Sequence, residues 1–213
     1  MVSYATLIAS RRDIYIAAIC LGQLVGEVLN LAVKKVIKEP RPSSHPMLSD
    51  GYGMPSSHSQ FMAYFATCVL LHLYLKTSYK NSLWKHVISI ATVSLAGIVQ
   101  YSRIHLEYHT VQQVLVGIQV GTLLGLVWFL FTTRIFLPFL VDKCKILEHP
   151  LFVALHIRDL SDIGDLTRCE YEGVVRWEKE VGLRSRRLAG TGVGKSVLEK
   201  GSSASSKRTK KDY

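Results

Sequence analysis

The chain has 213 residues, and its 26 Lys and Arg against 16 Asp and Glu give a formal net charge of +10. Apolar residues make up 48% of it and charged residues 20%, against about 25% charged residues in an average soluble protein. These fractions exclude a disordered basic tail, a small disulfide scaffold or a collagenous chain as the whole protein. The charges are uneven, because residues 1–133 hold only 10 of the Lys and Arg and 5 of the Asp and Glu. An apolar body is therefore followed by a solvated basic tail.

The first segment of the body is apolar but too short to cross a bilayer, and it ends at Arg11 and Arg12. In a signal peptide the positive charges precede the apolar run, whereas here they follow it. We expect either an interfacial segment or the remaining part of a longer span, truncated at the N-terminus.

Four longer apolar stretches follow, and Glu27 is the only charged residue within them. Each stretch is close to or above the roughly 17 to 20 residues that a membrane-spanning helix needs. They predict an all-α, multispanning membrane helical bundle with about four spans. The last stretch repeats Gly117, Gly121 and Gly125 at every fourth position, which favours close approach of a neighbouring helix. The stretches are residues 14–33, 60–75, 86–102 and 108–133.

The same patterns divide the chain into three parts. We expect a membrane-embedded domain at 1–133, juxtamembrane amphipathic segments at 134–189, and a disordered basic tail at 190–213. The amphipathic segments, 139–157 and 174–188, are expected on the membrane surface, where basic side chains meet anionic lipid.

The end of the tail carries two adjacent lysines, Lys210 and Lys211, followed by Asp212 and Tyr213. This ending resembles the dilysine signal that coatomer recognises when it returns membrane proteins to the endoplasmic reticulum. Two lysines also arise there by chance in a segment this basic, so both interpretations stay open.

Four spans place the connecting segments on two sides of the membrane. Arg11 and Arg12, the loop after the second span and the whole tail share one side, while loops 34–59 and 103–109 share the other. Most Lys and Arg lie on the first side, and the positive-inside tendency therefore predicts a cytosolic tail and two luminal loops.

These two luminal loops hold cations and histidines at the end of one bundle: Lys34, Arg41, His58, Arg103 and His109. Three fixed cations can bind the oxygens of a phosphoryl group and stabilise the charge that develops during its transfer. Of two histidines, one can act as a nucleophile that forms a phosphohistidine and the other as a general acid. Residues 55–58 add backbone N–H groups at a helix start, which favour an anion.

Acidic residues are scarce on this face, where Glu39, Asp50 and Glu107 are the only carboxylates in the two loops. Mg²⁺ is usually held by clustered carboxylate oxygens, and these three residues are scattered. The pattern predicts a metal-independent phosphatase without a cofactor. The positive charge is divided between these loops and the tail, and it requires no nucleic-acid partner.

The chain contains three sequence blocks: Lys34 with Arg41-Pro42, then Pro55-Ser56-Ser57-His58, then Ser102-Arg103 with His109. In this order they resemble the signature KxxxxxxRP, PSGH and SRxxxxxHxxxD of the type 2 phosphatidic acid phosphatase superfamily. The resemblance covers residues 20–132, and the sequence around the blocks resembles the dolichyldiphosphatase branch. It implies hydrolysis of dolichyl diphosphate to dolichyl phosphate in the endoplasmic reticulum membrane, with a luminal active site, which supports dolichol recycling for protein N-glycosylation.

The resemblance also implies roles for single residues. His109 corresponds to the nucleophile and His58 to the general acid, and the phosphate binders are Lys34, Arg41, Ser57 and Arg103. Ser57 replaces the glycine of the motif, and Gln113 replaces its aspartate. A glutamine oxygen can accept the Nδ1–H bond and orient His109, but it lacks the charge that stabilises an imidazolium.

Several alternatives remain open at this point. The substrate could instead be phosphatidate or a sphingoid phosphate, and the glutamine also fits a catalytically weakened lipid-binding relative. His105 and His109 have a spacing that metal ligands use. A polar stripe along the first span, Gln23, Glu27, Asn30 and Lys34, predicts either interhelical hydrogen bonds or a role for Glu27 in orienting Lys34 or a catalytic histidine.

Overall fold

The computed structural model describes residues 2–42, 52–77, 83–161 and 165–190. These ranges contain no β-strand, and two isolated β-bridges join Asp13 with Arg158 and Pro40 with Tyr52. The helices in chain order are α1 (Val2–Arg11), α2 (Ile14–Ile37), α3 (Ser57–Leu75), α4 (Leu83–His105), α5 (Val111–Phe131), α6 (Pro150–Ala154) and α7 (Leu166–Gly190).

Three of the segments are long and apolar enough to cross a membrane: Ile14–Ile37, Leu83–His105 and Val111–Lys143. The fourth long helix, α3, has 19 residues and packs against α2, α4 and α5. Its buried positions include the polar Ser59 and Gln60, because it lies among the other helices. The predicted all-α membrane bundle is confirmed, and these three segments together with α3 agree with about four spans.

The last span extends beyond Thr133, where the sequence placed a domain boundary. Two π-helical turns, Thr132–Phe136 and Phe139–Lys143, continue α5 to Lys143. The chain then forms a 3₁₀ turn at Ile146–Glu148 and the short helix α6, so residues 139–157 do not form one continuous amphipathic helix.

Two compact units divide the chain, Met1–Gly164 and Asp165–Tyr213. The described part of the second unit is essentially α7, which exposes Tyr171, Val174 and Trp177. The predicted dilysine pair lies outside the described residues and stays a prediction.

The start of α2 is fixed by a buried acidic cap. Asp13 is 6% exposed, and its carboxylate accepts hydrogen bonds from the backbone N–H of Tyr15 at 2.9 Å and of Leu160 at 3.4 Å. An N-cap carboxylate satisfies helix donors that otherwise have no partner. Burial raises the pKa of Asp13. The cap bond thereby holds Leu160 at the start of α2, and backbone bonds of Arg158 with Arg12 and Ile14 hold the preceding residues there too.

The glycine repeat of α5 lies directly against α3, as predicted. A Cβ added at Gly117 would lie 2.7 Å from the backbone oxygen of Ser56, and one at Gly121 would overlap the backbone oxygen of Gln60. All three glycines, including Gly125, are buried. Only residues without a side chain allow this separation. The beginning of α3 is therefore held against the N-terminal half of α5.

Candidate active site

The two predicted luminal loops meet at the end of the bundle where α2 and α4 finish and α3 and α5 begin. The N–H of Gly53 donates to the carbonyl of Glu39 at 2.7 Å, beside the bridge between Pro40 and Tyr52. The N–H of Ser56 donates to the carbonyl of Gln113 at 3.1 Å. These bonds bring the first, second and third sequence blocks together, as the signature required.

His109 occupies the short connection between α4 and α5 and is only 5% exposed. Thr110 begins α5 with a capping box, in which its hydroxyl accepts the N–H of Gln113 at 3.2 Å and its own N–H donates to Gln113 Oε1 at 3.4 Å. The same Oε1 lies 3.1 Å from His109 Nδ1. The cap therefore fixes the side chain that orients the predicted nucleophile.

Gln113 is fully buried, and its amide also contacts the first block. Nε2 donates to Glu39 Oε1 at 2.8 Å and to the carbonyl of Pro40 at 2.9 Å. Gly53 lies against the same amide, since a Cβ there would approach Oε1 and Nε2 to 2.6 Å. Glu39 and Gly53 were not among the predicted site residues. In the sequence, Glu39 lies within the first block and Gly53 lies two residues before the second block.

Burial and the positive charges of Arg41 and Lys34 lower the pKa of His109, while the hydrogen bonds to Gln113 and the backbone of Gly53 raise it. Burial is the largest of these effects, and the net result is a lowered pKa. The ordinary pKa of histidine is about 6.5. The imidazole is therefore neutral at physiological pH, as a nucleophile must be.

The predicted phosphate-binding cations lie around this histidine. The Nε atoms of Arg41 and Arg103 are both buried, and neither has a hydrogen-bond partner among the described residues. Arg103 lies over the ring of Tyr108, with its guanidinium carbon 5.3 Å from the centroid, and donates to Ser102 Oγ at 3.3 Å. Lys34 is close enough to Arg41 for their charges to interact. Buried guanidinium donors without partners are suited to an oxyanion.

The start of α3 provides the remaining predicted groups. Ser56 precedes the helix, and its side chain makes no capping bond to the first N–H groups of α3. Ser57 is half-buried and His58 is exposed. The charges of Arg103, Lys34 and Arg41 all act on His58. All six predicted catalytic and phosphate-binding residues thus belong to one end of the bundle.

Contacts among the described residues bear on two of the alternatives, although the role of Glu27 stays a prediction. Asn30 donates to Gln60 Oε1 at 2.7 Å, and Gln60 Nε2 donates to the carbonyl of Gly26 at 2.7 Å, so part of the polar stripe forms interhelical hydrogen bonds. His105 is exposed and stacks on Tyr101 with ring centroids 5.5 Å apart, whereas His109 is buried. The proposed metal pair of these histidines has no support in these contacts.

The chain matches the family model of the PAP2 superfamily over residues 14–136. Dolichyldiphosphatase 1 of Homo sapiens is 38% identical over 179 residues, which cover 80% of this chain and 74% of that protein. Dolichyldiphosphatase 1 of Dictyostelium discoideum is 41% identical over 178 residues, covering 83% and 77%. The dolichyldiphosphatase of Saccharomyces cerevisiae is 39% identical over 124 residues, covering 55% and 52%. No solved structure gives a significant match. The family model and the coverage of these relatives place the chain within the PAP2 superfamily, to which it belongs.

Proposed function

We propose that this protein is a membrane hydrolase that converts dolichyl diphosphate to dolichyl phosphate and phosphate. The observation that carries the proposal is the position of His109 and His58 near Arg41 and Arg103, whose buried Nε atoms have no hydrogen-bond partner among the described residues. The names of the relatives at 38% and 41% identity support the choice of a polyisoprenyl diphosphate as the substrate.

The proposed reaction has two steps. His109 Nε2 attacks the terminal phosphorus, the anhydride bond breaks, and His58 donates a proton to the departing dolichyl phosphate. Water then attacks the phosphohistidine, with His58 as the base, and inorganic phosphate leaves. Arg41, Arg103 and Lys34 bind the non-bridging oxygens, on which negative charge is concentrated during each transfer. The N–H of Ser57 at the helix start is a further donor to these oxygens.

His109→Ala is the central test of this proposal. Purified protein in detergent is expected to release phosphate from dolichyl diphosphate, and the variant is expected to lose all measurable turnover. The reaction is expected to continue in EDTA, because the proposed chemistry uses no metal. Loss of wild-type activity on chelation would contradict that part of the mechanism.

The substrate is tested by a panel under the same conditions. We expect a higher kcat/KM for dolichyl diphosphate than for phosphatidate or sphingosine phosphate at equal mole fraction in the micelle. Equal values for phosphatidate would favour a general lipid phosphatase, and turnover by His109→Ala would contradict the phosphohistidine mechanism for every substrate.

A further inference from the structure

The amide of Gln113 has a single orientation that satisfies its neighbours. Its two N–H groups have two acceptors, Glu39 Oε1 at 2.8 Å and the carbonyl of Pro40 at 2.9 Å. Its oxygen accepts the N–H of Thr110 at 3.4 Å. Rotating the amide by half a turn would place its oxygen against a carboxylate and a carbonyl, and its NH₂ group against an N–H. Such unsatisfied groups are costly in a fully buried side chain.

The orientation of this amide determines the proton position on His109. The side of Gln113 that lies 3.1 Å from His109 Nδ1 is the oxygen, which can only accept a hydrogen bond. In the neutral ring this contact favours the proton on Nδ1 and leaves the lone pair on Nε2, while the backbone of Gly53 is a second hydrogen-bond partner of the ring. Nε2 is the atom that must be unprotonated for attack on phosphorus.

We propose that Glu39 is a positioning residue that selects the reactive tautomer of His109 by orienting the amide of Gln113. This inference rests on the proposed function, in which His109 is the nucleophile. In this proposal Glu39 and Gln113 together replace the aspartate of the family motif. The Glu39 carboxylate contacts the amide of Gln113, and that amide contacts the imidazole of His109. Glu39 does not touch the substrate in this proposal and acts only through Gln113.

Glu39→Ala tests the proposal. The carbonyl of Pro40 and the N–H of Thr110 remain and still favour the wild-type orientation. We therefore expect kcat to fall by about tenfold, less than the roughly 10⁴-fold loss seen when a catalytic histidine is held in the wrong tautomer. KM should change by less than about twofold, because substrate binding is left intact. Glu107→Ala is the matched control, since Glu107 is an exposed glutamate two residues before His109.

Glu39→Gln separates orientation from a general loss of structure. Its side-chain oxygen can accept the Gln113 N–H without the negative charge, so we expect kcat within about threefold of wild type. Equal losses in Glu39→Gln and Glu39→Ala would overturn the tautomer mechanism. Wild-type kcat in Glu39→Ala would overturn it as well.

The tautomer itself can be measured without substrate. In protein labelled with ¹⁵N-histidine, the His109 resonances, assigned by their absence in His109→Ala, are expected to show a protonated Nδ1. Glu39→Ala should add a population with a protonated Nε2, and Glu107→Ala should not. Unchanged resonances in Glu39→Ala would refute the inference. Activity in His109→Ala would instead refute the proposed function, so the two failures are distinguishable.

Discussion

At the scale of single residues, the site replaces a direct carboxylate contact by an amide contact. His109 Nδ1 faces Gln113 Oε1, and the nearest carboxylate of this network is that of Glu39, on the opposite side of the amide. A neutral partner stabilises the imidazolium less than an anion does. Burial outweighs the hydrogen bond to Gln113, so the pKa of His109 is lowered and the unprotonated, nucleophilic ring is favoured.

The variant Gln113→Asp should reverse this effect. A carboxylate beside Nδ1 raises the pKa of His109, and an opposite charge within hydrogen-bond distance typically shifts a pKa by about 1 to 3 units. Since the nucleophile must be neutral, the variant should lose activity on acidification at a higher pH than wild type does. The measurement is the acid limb of kcat/KM against pH.

Gln112→Asp provides the matched control for this prediction. Gln112 is the exposed neighbour of Gln113, so the substitution adds the same charge without contacting His109. Its acid limb should stay close to that of wild type. An identical profile for Gln113→Asp and wild type would mean that His109 does not control the acid limb.

At the scale of elements, the site depends on the contact between α3 and α5. The carbonyl of Ser56, which precedes α3, and that of Gln60 in α3 lie where side chains at Gly117 and Gly121 would stand. The first turn of α3 carries Ser57 and His58. His109 lies just before Thr110, which caps the start of α5. Helix packing therefore determines the distance between the proposed acid and the nucleophile.

Gly121→Ala should destabilise this contact. The new Cβ meets the backbone of Gln60, which cannot rotate away as a flexible side chain could, and overpacking of this kind costs about 1 to 3 kcal/mol. We expect a lower thermal midpoint in detergent and reduced kcat. Gly97→Ala in α4 is the control, because a Cβ there has no heavy atom within 4 Å. A Gly121→Ala midpoint at or above that of Gly97→Ala would show that the close approach is not required.

At the scale of the whole molecule, the proposed membrane orientation rests on the distribution of Lys and Arg and on the contact between the start of α2 and residues 158–160. The capped start of α2, next to Arg11 and Arg12, binds residues 158–160 at the end of the bundle opposite the candidate site. The positive-inside tendency places this end in the cytosol, and the site in the lumen. Both assignments are proposals for this chain.

Two native cysteines allow a direct test of the orientation. Cys144 and Cys169 are exposed, whereas Cys68 is buried and Cys20 is half-buried. A membrane-impermeant maleimide added to sealed microsomes should therefore label the protein, and Cys144→Ser combined with Cys169→Ser should abolish that labelling. Labelling that occurs only after permeabilisation would place these residues in the lumen and reverse the proposed topology.

Much of this architecture is predictable because each feature has a local sequence pattern. Long uncharged stretches predict the spans, and the glycine repeat at every fourth residue predicts the packing of α5. The role of Glu39 has no such pattern, because its partner Gln113 lies 74 residues away in sequence. The extension of α5 was also missed, since Arg134 and Asp142 make residues 134–143 look like tail, while the helix continues through π turns.

The bonds between Glu39, Pro40, Tyr52 and Gly53 have a practical consequence for engineering. They join the two ends of the segment that separates the first and second blocks, so the chain leaves and re-enters the site at nearly the same point. Lengthening a loop whose ends are already held costs only about 0.6 kcal/mol per doubling. A fluorescent or affinity peptide inserted between the joined ends should therefore leave the histidines and arginines in their positions.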